Sequence, residues 1–367
     1  MENIQPKQER LMSIDALRGF DMLTIIFLDK FFSYYNRAAD TPLSNFMVKQ
    51  FTHPEWYGFH FYDIIMPLFL FLVGMSVPFS ITKRLSINPD RISLYKHLFQ
   101  RFVILWVLGM ISQGNLLDFD MGTLKLFSNT LQAIAVGYIF SCIAFLHLSK
   151  KGRYVLFGVL LVVYAVVLSV PHVPGVGTSV VQPDKNFAIY FDRLVLGQFD
   201  DGNQYSWILT GLGFTATVLS GIFASEIIRS GMSKNKITIY LLVIGAAGIA
   251  LGLIWGIWHP IVKKLWTSSF VLLLSGMCYI LMAVFYWVID VKGHKKWAFP
   301  LKVIGMNAIF AYTITHVLRF ADVAKPFLYG TEQYFGAYYP TVLVVGGFGI
   351  LYLILWYMYK KKTFIKV

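Results

Sequence analysis

The chain has 367 residues, of which 57% are hydrophobic and 14% are charged, and its mean hydropathy is +0.61. Soluble domains carry about 45–50% apolar and about 25% charged residues, so a single water-exposed domain could not bury this much apolar surface. The formal net charge of +13 raises the question of nucleic-acid binding. The basic residues stand in short clusters between apolar stretches, as in membrane proteins, so no nucleic-acid partner is expected.

The cysteines and the N-terminal segment bear on disulfides, metal sites and a cleavable signal. Cys142 and Cys278 both lie in apolar stretches, which predicts neither a disulfide nor a metal framework. The first apolar stretch begins near Leu11 without a small-residue cleavage site and predicts a retained helix. The absence of an Asn-x-Ser/Thr sequon weakly favours a bacterial cytoplasmic membrane.

Apolar stretches recur along the whole chain. A helix needs about 20 apolar residues to cross the hydrocarbon core of a bilayer. The sequence therefore predicts an all-α polytopic integral membrane protein with about ten transmembrane helices. One transmembrane domain, 11–359, would lie between a short tail, 1–10, and a basic tail, 360–367. The predicted spans are 11–33, 59–82, 97–114, 127–148, 153–170, 205–229, 237–258, 267–290, 299–318 and 340–359.

The distribution of Lys and Arg predicts the orientation. The flanks at one end of the predicted helices contain 19 of these residues, and the flanks at the other end contain 9. Because the basic-rich side of a membrane protein faces the cytoplasm, both termini are predicted to be cytoplasmic. The long outer loops are then 34–58, 171–204 and 319–339, and ordered loops of this length are commonly functional.

The first span carries Asp15 and Arg18, whose spacing of three puts them on one helix face. Two interpretations are open. One is an ion pair at the cytoplasmic end of the helix, and the other is a polar floor for an anionic cofactor that enters from the cytosol. Asp29 lies near the outer end of the same helix, where it can line the same cavity.

The most informative segment reads HPEWYGFHFYDIIMPLFLFLVGMS and runs over 53–76. It places His53 and Trp56 just before an outer helix start and Asp63 about one turn inside that helix. A carboxylate at that depth is costly unless it is paired or faces a polar cavity. A histidine beside a carboxylate suits proton transfer near neutral pH. The alternative is that Asp63 caps the helix and His53 lies in a hydrated loop.

Two later segments also carry polar residues at the predicted outer side. In HPIVKKLWTSSF, Lys263 and Lys264 lie at the outer interface, where anchoring is the common role. In GMNAIFAYTITH, Asn307 lies within the ninth span and His316 lies near its outer end, and both need polar partners in lipid. No phosphate-binding loop, metal-ligand array or serine nucleophile elbow is present, which disfavours NTPase, zinc-enzyme and serine-hydrolase activities.

Seven blocks in order resemble the heparan-α-glucosaminide N-acetyltransferase family, including its bacterial relatives, from about Arg10 to the C-terminus. The first-helix block RLMSIDALRGFDML and the segment 53–76 resemble the family's first two motifs, and NTLQAIAVGY resembles its Leu-Gln block. Later blocks are YFDRLVLGQF, PIVKKLWTSSFVL, YWVIDVKG and IGMNAIFAYTITHV.

The resemblance implies an enzyme that moves an acetyl group from cytosolic acetyl-CoA to the amine of a terminal glucosamine across the membrane. It implies no metal, and it leaves a homodimer open. His53 would be the catalytic histidine, as general base or as a transient acetyl carrier, with Asp63 orienting it. The implied contacts with the acceptor or its oxyanion are Asp29, Trp56, Lys264, Asn307 and His316. The implied contacts with acetyl-CoA are Asp15, Arg18 and Gln132.

The chain departs from the family pattern at four places, which implies an altered acceptor or a loss of activity. Tyr57 stands for the family's Asn, Ala133 for Arg, Asp29 for Asn, and 203–206 for Asp-Pro-Glu-Gly. An amino-sugar permease of the same fold is the main alternative, and binding of acetyl-CoA distinguishes the two. A structural or assembly protein is the third interpretation, and clustered intramembrane Asp, Asn and His argue against it.

Overall fold

The computed structural model describes residues 11–365. Regular structure in this part of the chain is helical apart from a two-stranded antiparallel hairpin, β1 His172–Val173 with β2 Gly177–Thr178. The prediction of an all-α fold is therefore confirmed. The α-helices in chain order are α1 Met12–Leu23, α2 Asp29–Ala39, α3 Pro42–Gln50, α4 Ile65–Ile87, α5 Arg91–Gln113, α6 Thr130–His147, α7 Lys150–Ser169, α8 Phe187–Leu196, α9 Gly211–Ile228, α10 Lys234–Trp255, α11 Ser268–Tyr286, α12 Phe299–Met306, α13 Ala308–Val317, α14 Phe320–Ala324, α15 Glu332–Phe335 and α16 Tyr339–Lys360.

Eight helices within residues 11–365 are long and apolar enough to cross a membrane, so the molecule is a polytopic membrane protein. They agree with eight of the ten predicted spans. Helix ends differ by a few residues, because flanking polar residues cap the helices beyond the apolar stretch. The eight are Phe61–Ile87, Arg91–Gln113, Thr130–His147, Lys150–Ser169, Gly211–Ile228, Lys234–Trp255, Ser268–Val291 and Glu332–Lys360.

The other two predicted spans, 11–33 and 299–318, form helices of a different kind. In the first, a π-helical segment, Thr24–Leu28, joins α1 to α2 in a continuous helix that carries four carboxylates or guanidinium groups within its first 18 residues. In the second, the helix breaks at Asn307, which leaves α12 with 8 residues and α13 with 10. Neither meets the combined length, hydropathy and charge criteria of an ordinary membrane span, so length and composition by themselves support eight of the ten predicted spans.

The core of the bundle depends on close contact between helices that carry small residues. Helix α9 packs along α4 and is buried on nearly all sides. At their crossing Gly221 faces the backbone of Phe71, and Gly74 faces the backbone of Val218. Small residues at such a crossing let two membrane helices approach to backbone contact, which increases van der Waals attraction.

Gly221→Ala is expected to destabilise the protein, because the added Cβ would lie 2.0 Å from the Phe71 carbonyl oxygen. No side chain can yield there, so α4 and α9 must separate. The melting temperature in detergent should fall by several degrees, from a cost of about 1–3 kcal/mol. Gly158→Ala is the matched control, since its Cβ meets nothing within 4 Å. Equal melting temperatures for the two variants would contradict this packing argument.

The helix ends set up a cavity at one end of the bundle. Helices α4, α6 and α9 begin there, and α5 and α13 end there. Loops that the sequence analysis grouped on one side therefore meet in space, which the alternation of successive helices requires.

Candidate active site

A cavity of about 490 Å³ opens at this end of the bundle. It is the size of a small-molecule site and is lined by both polar and aromatic groups, as such sites usually are. Helices α4, α5, α6 and α13, the π-helical segment Thr24–Leu28 and four connecting segments contribute its walls. The polar lining comprises His53, Tyr62, Gln113, Asn115, Lys125, Ser128, Asn129, Thr130, Asp201, Asn203, Tyr205, Lys263 and His316.

His53 lines the cavity, and Asp63 lies behind it. The Nδ1 atom of His53 lies 2.6 Å from Oδ1 of Asp63, and the carboxylate is fully buried while 35% of the histidine side chain is exposed. The other carboxylate oxygen of Asp63 accepts the backbone N–H of His60 at 2.7 Å, at the start of the 3₁₀ turn Phe61–Ile64. Asp63 therefore caps the helix and holds the histidine at the same time.

Lys263 completes a three-residue cluster with His53 and Asp63. Its Nζ lies 3.3 Å from Asp63 Oδ1 and 3.0 Å from both Nδ1 and Nε2 of His53. An atom equally close to both ring nitrogens cannot lie in the ring plane without overlapping the Cε1 carbon between them. The ammonium group therefore lies over the ring face, and the in-plane lone pair of Nε2 stays available to the cavity.

The charges of the cluster define the state of the histidine. With the carboxylate at Nδ1, the neutral tautomer that donates Nδ1–H to Asp63 leaves Nε2 as a proton acceptor. Burial lowers the pKa of His53 below its usual value of 6.5; the bond to Asp63 opposes this shift and the Lys263 charge adds to it. Burial also lowers the pKa of Lys263 to about 8, against the attraction of Asp63. At neutral pH the cluster thus holds a neutral base beside a cation.

Hydrogen bonds between loops hold the lysine in place. The backbone N–H of Gly58 donates to the Ile261 carbonyl at 2.8 Å, which ties the His53 segment to the Lys263 segment. The turn after Lys263 closes through a bond from Trp266 N–H to the Lys263 carbonyl, with Trp266 at φ 48°. A non-glycine residue in this left-handed conformation is strained and must be held by its surroundings. The Trp266 indole N–H bonds Thr217 at 3.1 Å and supplies part of that hold.

Three predicted site residues lie in or behind the cavity besides His53. His316 lines it, with Nδ1 bonded to the Tyr312 carbonyl at 2.8 Å. Asp63 stands behind His53, as described above. Asp29 lies behind the cavity-lining residue Tyr62, whose hydroxyl donates to it at 3.4 Å. The Tyr62 ring in turn lies 5.1 Å from that of His53.

Two other predicted acceptor contacts, Trp56 and Lys264, lie outside the cavity lining and pack next to it. Trp56 is 7% exposed and its indole N–H donates to the Val181 carbonyl at 3.2 Å. The Lys264 ammonium lies 5.7 Å from the Trp56 ring centre and 5.9 Å from that of Tyr205. Neither lines the cavity. The lysine that reaches His53 is thus Lys263, because successive side chains in the turn point in different directions.

Asn307 lies away from the cavity, against the C-terminal segment. It is 1% exposed, its side-chain amide donates to the Thr363 carbonyl at 3.3 Å, and its oxygen accepts the Ile365 N–H at 3.0 Å. The structure does not bring it near His53. A buried Asn at a helix break finds its partners in the neighbouring chain segment, which the sequence pattern does not reveal.

The predicted acetyl-CoA contacts also lie outside the cavity. Arg18 donates to Asp15 at 3.3 Å and to the Ser76 hydroxyl at 3.0 Å, towards the opposite end of the bundle. Gln132 is fully buried and bridges the turn before α6, donating to Leu126 O at 2.6 Å and accepting Ser128 N–H at 2.9 Å. Gln132 therefore shapes the cavity rim.

Lys263, Tyr62 and Asp201 are among the cavity groups to which the sequence pattern assigned no catalytic or binding role. The sequence pattern placed both Lys263 and Lys264 at the outer membrane interface. Burial distinguishes Lys263 from Lys264, since only 9% of the Lys263 side chain is exposed. For Asp201 a signal was present, since it adjoins the segment 203–206 that departs from the family pattern. Within the described part of the chain, no group of three or more His, Cys, Asp or Glu could hold a metal ion.

The fold and the cavity define a class: a polytopic α-helical membrane protein with a buried His–carboxylate–Lys cluster at one end of its bundle. Comparison with known proteins adds a family-level relationship. The chain is 23% identical over 370 residues to heparan-alpha-glucosaminide N-acetyltransferase of Homo sapiens, covering 83% of this chain and 52% of that protein. It is 24% identical over 430 residues to the Mus musculus protein of the same name, covering 100% of this chain and 62% of that protein.

The similarity extends over most of this chain but not over most of its relatives. The chain spans between half and two thirds of the length of these curated proteins. No family model matches it. The comparisons support the resemblance noted in the sequence.

Proposed function

We propose that the protein is a membrane N-acetyltransferase that moves an acetyl group from acetyl-CoA to the amine of an amino sugar of the glucosamine type. The observation that carries the proposal is the His53–Asp63–Lys263 cluster on the wall of a small-molecule cavity. The names of the two relatives supply the reaction class. We further propose that acetyl-CoA approaches from the cytosol and the acceptor from the outer side, in a bacterial cytoplasmic membrane.

In the proposed reaction His53 acts as the general base. The acceptor arrives as an ammonium ion and gives one proton to Nε2 of His53, whose Nδ1–H stays bonded to Asp63. The neutral amine then attacks the thioester carbonyl and forms the C–N bond. The nitrogen of the tetrahedral intermediate loses its second proton to solvent, collapse of the intermediate breaks the C–S bond, and the thiolate takes up the proton from His53. One proton is released overall, since the acceptor enters as an ammonium and leaves as an amide.

Lys263 has two parts in this scheme. As a cation over the ring face it keeps His53 neutral and ready to accept a proton. It is also a cavity cation in contact with His53, so it can stabilise the oxyanion of the tetrahedral intermediate. Preorganised donors of this kind are effective because they need no rearrangement during the reaction.

The donor must reach this cavity from the opposite face of the membrane. Its nucleotide is too polar to enter lipid, so we place it at the end of the bundle where Asp15 and Arg18 lie, with the pantetheine arm between helices. A phosphate there would compete with Asp15 and Ser76 for the Arg18 guanidinium.

Proteoliposomes test the reaction and its sidedness together. With radiolabelled acetyl-CoA enclosed and glucosamine outside, we expect labelled N-acetylglucosamine to form outside, in vesicles whose protein is oriented with its basic flanks inward. The oriented fraction is measured by protease protection of an epitope tag on the C-terminus. Uptake of glucosamine without any acetyl transfer would instead identify the permease alternative. Acetyl transfer only when both substrates are on one side would overturn the transmembrane route.

A further inference from the structure

Asp201 is a carboxylate of the cavity that the proposed reaction does not use. Its Oδ2 accepts the Trp207 indole N–H at 2.8 Å, and its Oδ1 accepts the Asn203 backbone N–H at 2.8 Å. These two bonds fix the carboxylate, and the structure shows no ion pair between Asp201 and a cationic side chain among residues 11–365. Burial raises the pKa of Asp201, as expected for a carboxylate that lacks a cation.

The other charges of the cavity leave a place for a positive ligand at this wall. Asp63 is already paired with Lys263 and bonded to His53, so its charge is neutralised. Lys125 and Lys263 both line the cavity and would repel an incoming cation. Asp201, a carboxylate in the same lining without an ion pair among the described residues, is the group that would admit a positively charged molecule.

We propose that Asp201 is an acceptor-binding residue that supplies the counter-charge for the ammonium form of the amine acceptor. This inference rests on the proposed function, since it names how the amine is held in the same cavity. Opposite charges attract appreciably even without direct contact, because the effective dielectric constant near a protein site is well below that of water.

Tyr205 connects the proposed subsite with the catalytic cluster. Tyr205 lies in the loop before α9, which begins at Gly211. Burial raises the pKa of Tyr205 to about 12, and the negative charges of Asp63 and Asp201 both add to the shift. His53, Asp201 and Tyr205 all line the same cavity of about 490 Å³, which puts Asp201 within one small molecule of His53. The pair Tyr205 and Trp207 also stack, with ring centres 5.8 Å apart.

The loop that presents this subsite is anchored from below. The buried carboxylate of Asp192 in α8 accepts the backbone N–H groups of Trp207 and Ile208. Trp207 is itself 6% exposed and packs on Phe127. Asp201 is therefore bonded to a rigid neighbour, which keeps its charge directed at the cavity.

Steady-state kinetics of acetyl transfer in detergent test the proposal. For Asp201→Asn we expect KM for glucosamine to rise about 10-fold, kcat to change less than 3-fold and KM for acetyl-CoA to stay unchanged, as for loss of uniform binding. Added salt should raise the wild-type KM for glucosamine and narrow its difference from the KM of Asp201→Asn, since screening weakens the attraction between Asp201 and the ammonium group. Asp201→Glu should recover most of the binding.

Asp200→Asn is the matched control, because this neighbouring carboxylate bonds the Gly202 N–H and does not line the cavity. It should leave both KM values unchanged. Equal KM for glucosamine in the two variants, with transfer intact, would overturn the role of Asp201 alone. A wild-type protein that transfers no acetyl group to any amine would overturn the proposed function itself. A fall in kcat with unchanged KM in Asp201→Asn would also overturn the subsite, since it would indicate a structural or catalytic effect.

Discussion

His53→Ala is expected to reduce acetyl transfer at least about 10³-fold while the protein stays folded in the membrane. General-base catalysis by a positioned histidine typically contributes about 10²–10⁴ in rate. The loss here should lie in the upper part of that range, because no other group of the cluster presents a free lone pair to the cavity. The measurement is kcat with radiolabelled acetyl-CoA and glucosamine, with the melting temperature taken in parallel.

His60→Ala is the matched control for this variant. His60 lies in the same segment and binds the Thr52 carbonyl at 2.9 Å through Nδ1, but it does not line the cavity. It should keep wild-type turnover within about 3-fold, since its imidazole has no part in the proton transfer. If His53→Ala turned over as fast as His60→Ala, the assignment of His53 as the base would have to be abandoned.

Mass spectrometry of the wild-type protein distinguishes two routes of transfer. If the acetyl group passes through His53, wild-type protein incubated with acetyl-CoA alone should gain one acetyl group, detected by mass spectrometry of the peptide that contains His53. Direct transfer leaves that peptide unmodified. We expect the unmodified peptide, because the Nδ1–H bond to Asp63 prepares Nε2 to accept a proton from the amine.

Lys263→Met is expected to lower kcat about 10²-fold at neutral pH. The substitution keeps the length of the side chain and removes the ammonium group, which lies 3.0 Å from both ring nitrogens of His53. Loss of one preorganised donor to an oxyanion typically costs about 10²–10³ in rate. The buried Asp63 carboxylate also loses its cation, so the melting temperature should fall as well.

The pH profile of this variant separates the lysine's catalytic part from its structural part. His53 works as a neutral base, so kcat/KM must fall as pH drops through its pKa, which in the wild type lies below 6.5. Removal of the neighbouring positive charge raises the pKa of His53, and the acid limb should move to higher pH. At the alkaline side, the wild-type rate should fall as pH rises past about 8, the pKa of Lys263, and this limb should vanish in the variant.

Lys264→Met provides the control for both measurements. This neighbouring ammonium lies over the rings of Trp56 and Tyr205 and does not touch His53. The variant should keep the acid and alkaline limbs of the wild type and lose at most a small part of its rate. If Lys263→Met and Lys264→Met gave the same profile, the tuning of His53 by Lys263 would be contradicted.

The segment 53–76 shows how much of the site a sequence pattern can carry. His53 and Asp63 are ten residues apart, and the helix start between them brings the two together through local geometry alone, with Asp63 in the first turn. A pair joined by a short turn depends on few long-range contacts, so its spacing could predict it. The residue Lys263 joins the same cluster from 210 positions away, and its neighbour Lys264 has the same charge and the same flanks.

Asn307 and Asp201 are residues whose partners the sequence pattern could not predict. Asn307 occupies an apolar span, and the sequence indicated only that its amide needs a partner; the partners are backbone groups of Thr363 and Ile365. Asp201 stands in a loop among other carboxylates, and its place in the cavity depends on a bond to Trp207 and on the anchoring of that loop by Asp192. Long-range bonds of this kind leave no periodicity in the sequence.

The sequence by itself determined the class of the protein, because hydropathy over about 20 residues and the requirement that backbone groups bond internally in lipid leave only helices. It also determined that the polar loops meet at one end, since successive helices alternate. The tertiary structure alone decided which polar groups face the cavity. Side-chain direction in a turn or at a helix break depends on contacts between distant segments, as the strained turn at Trp266 shows when it directs Lys263 to His53.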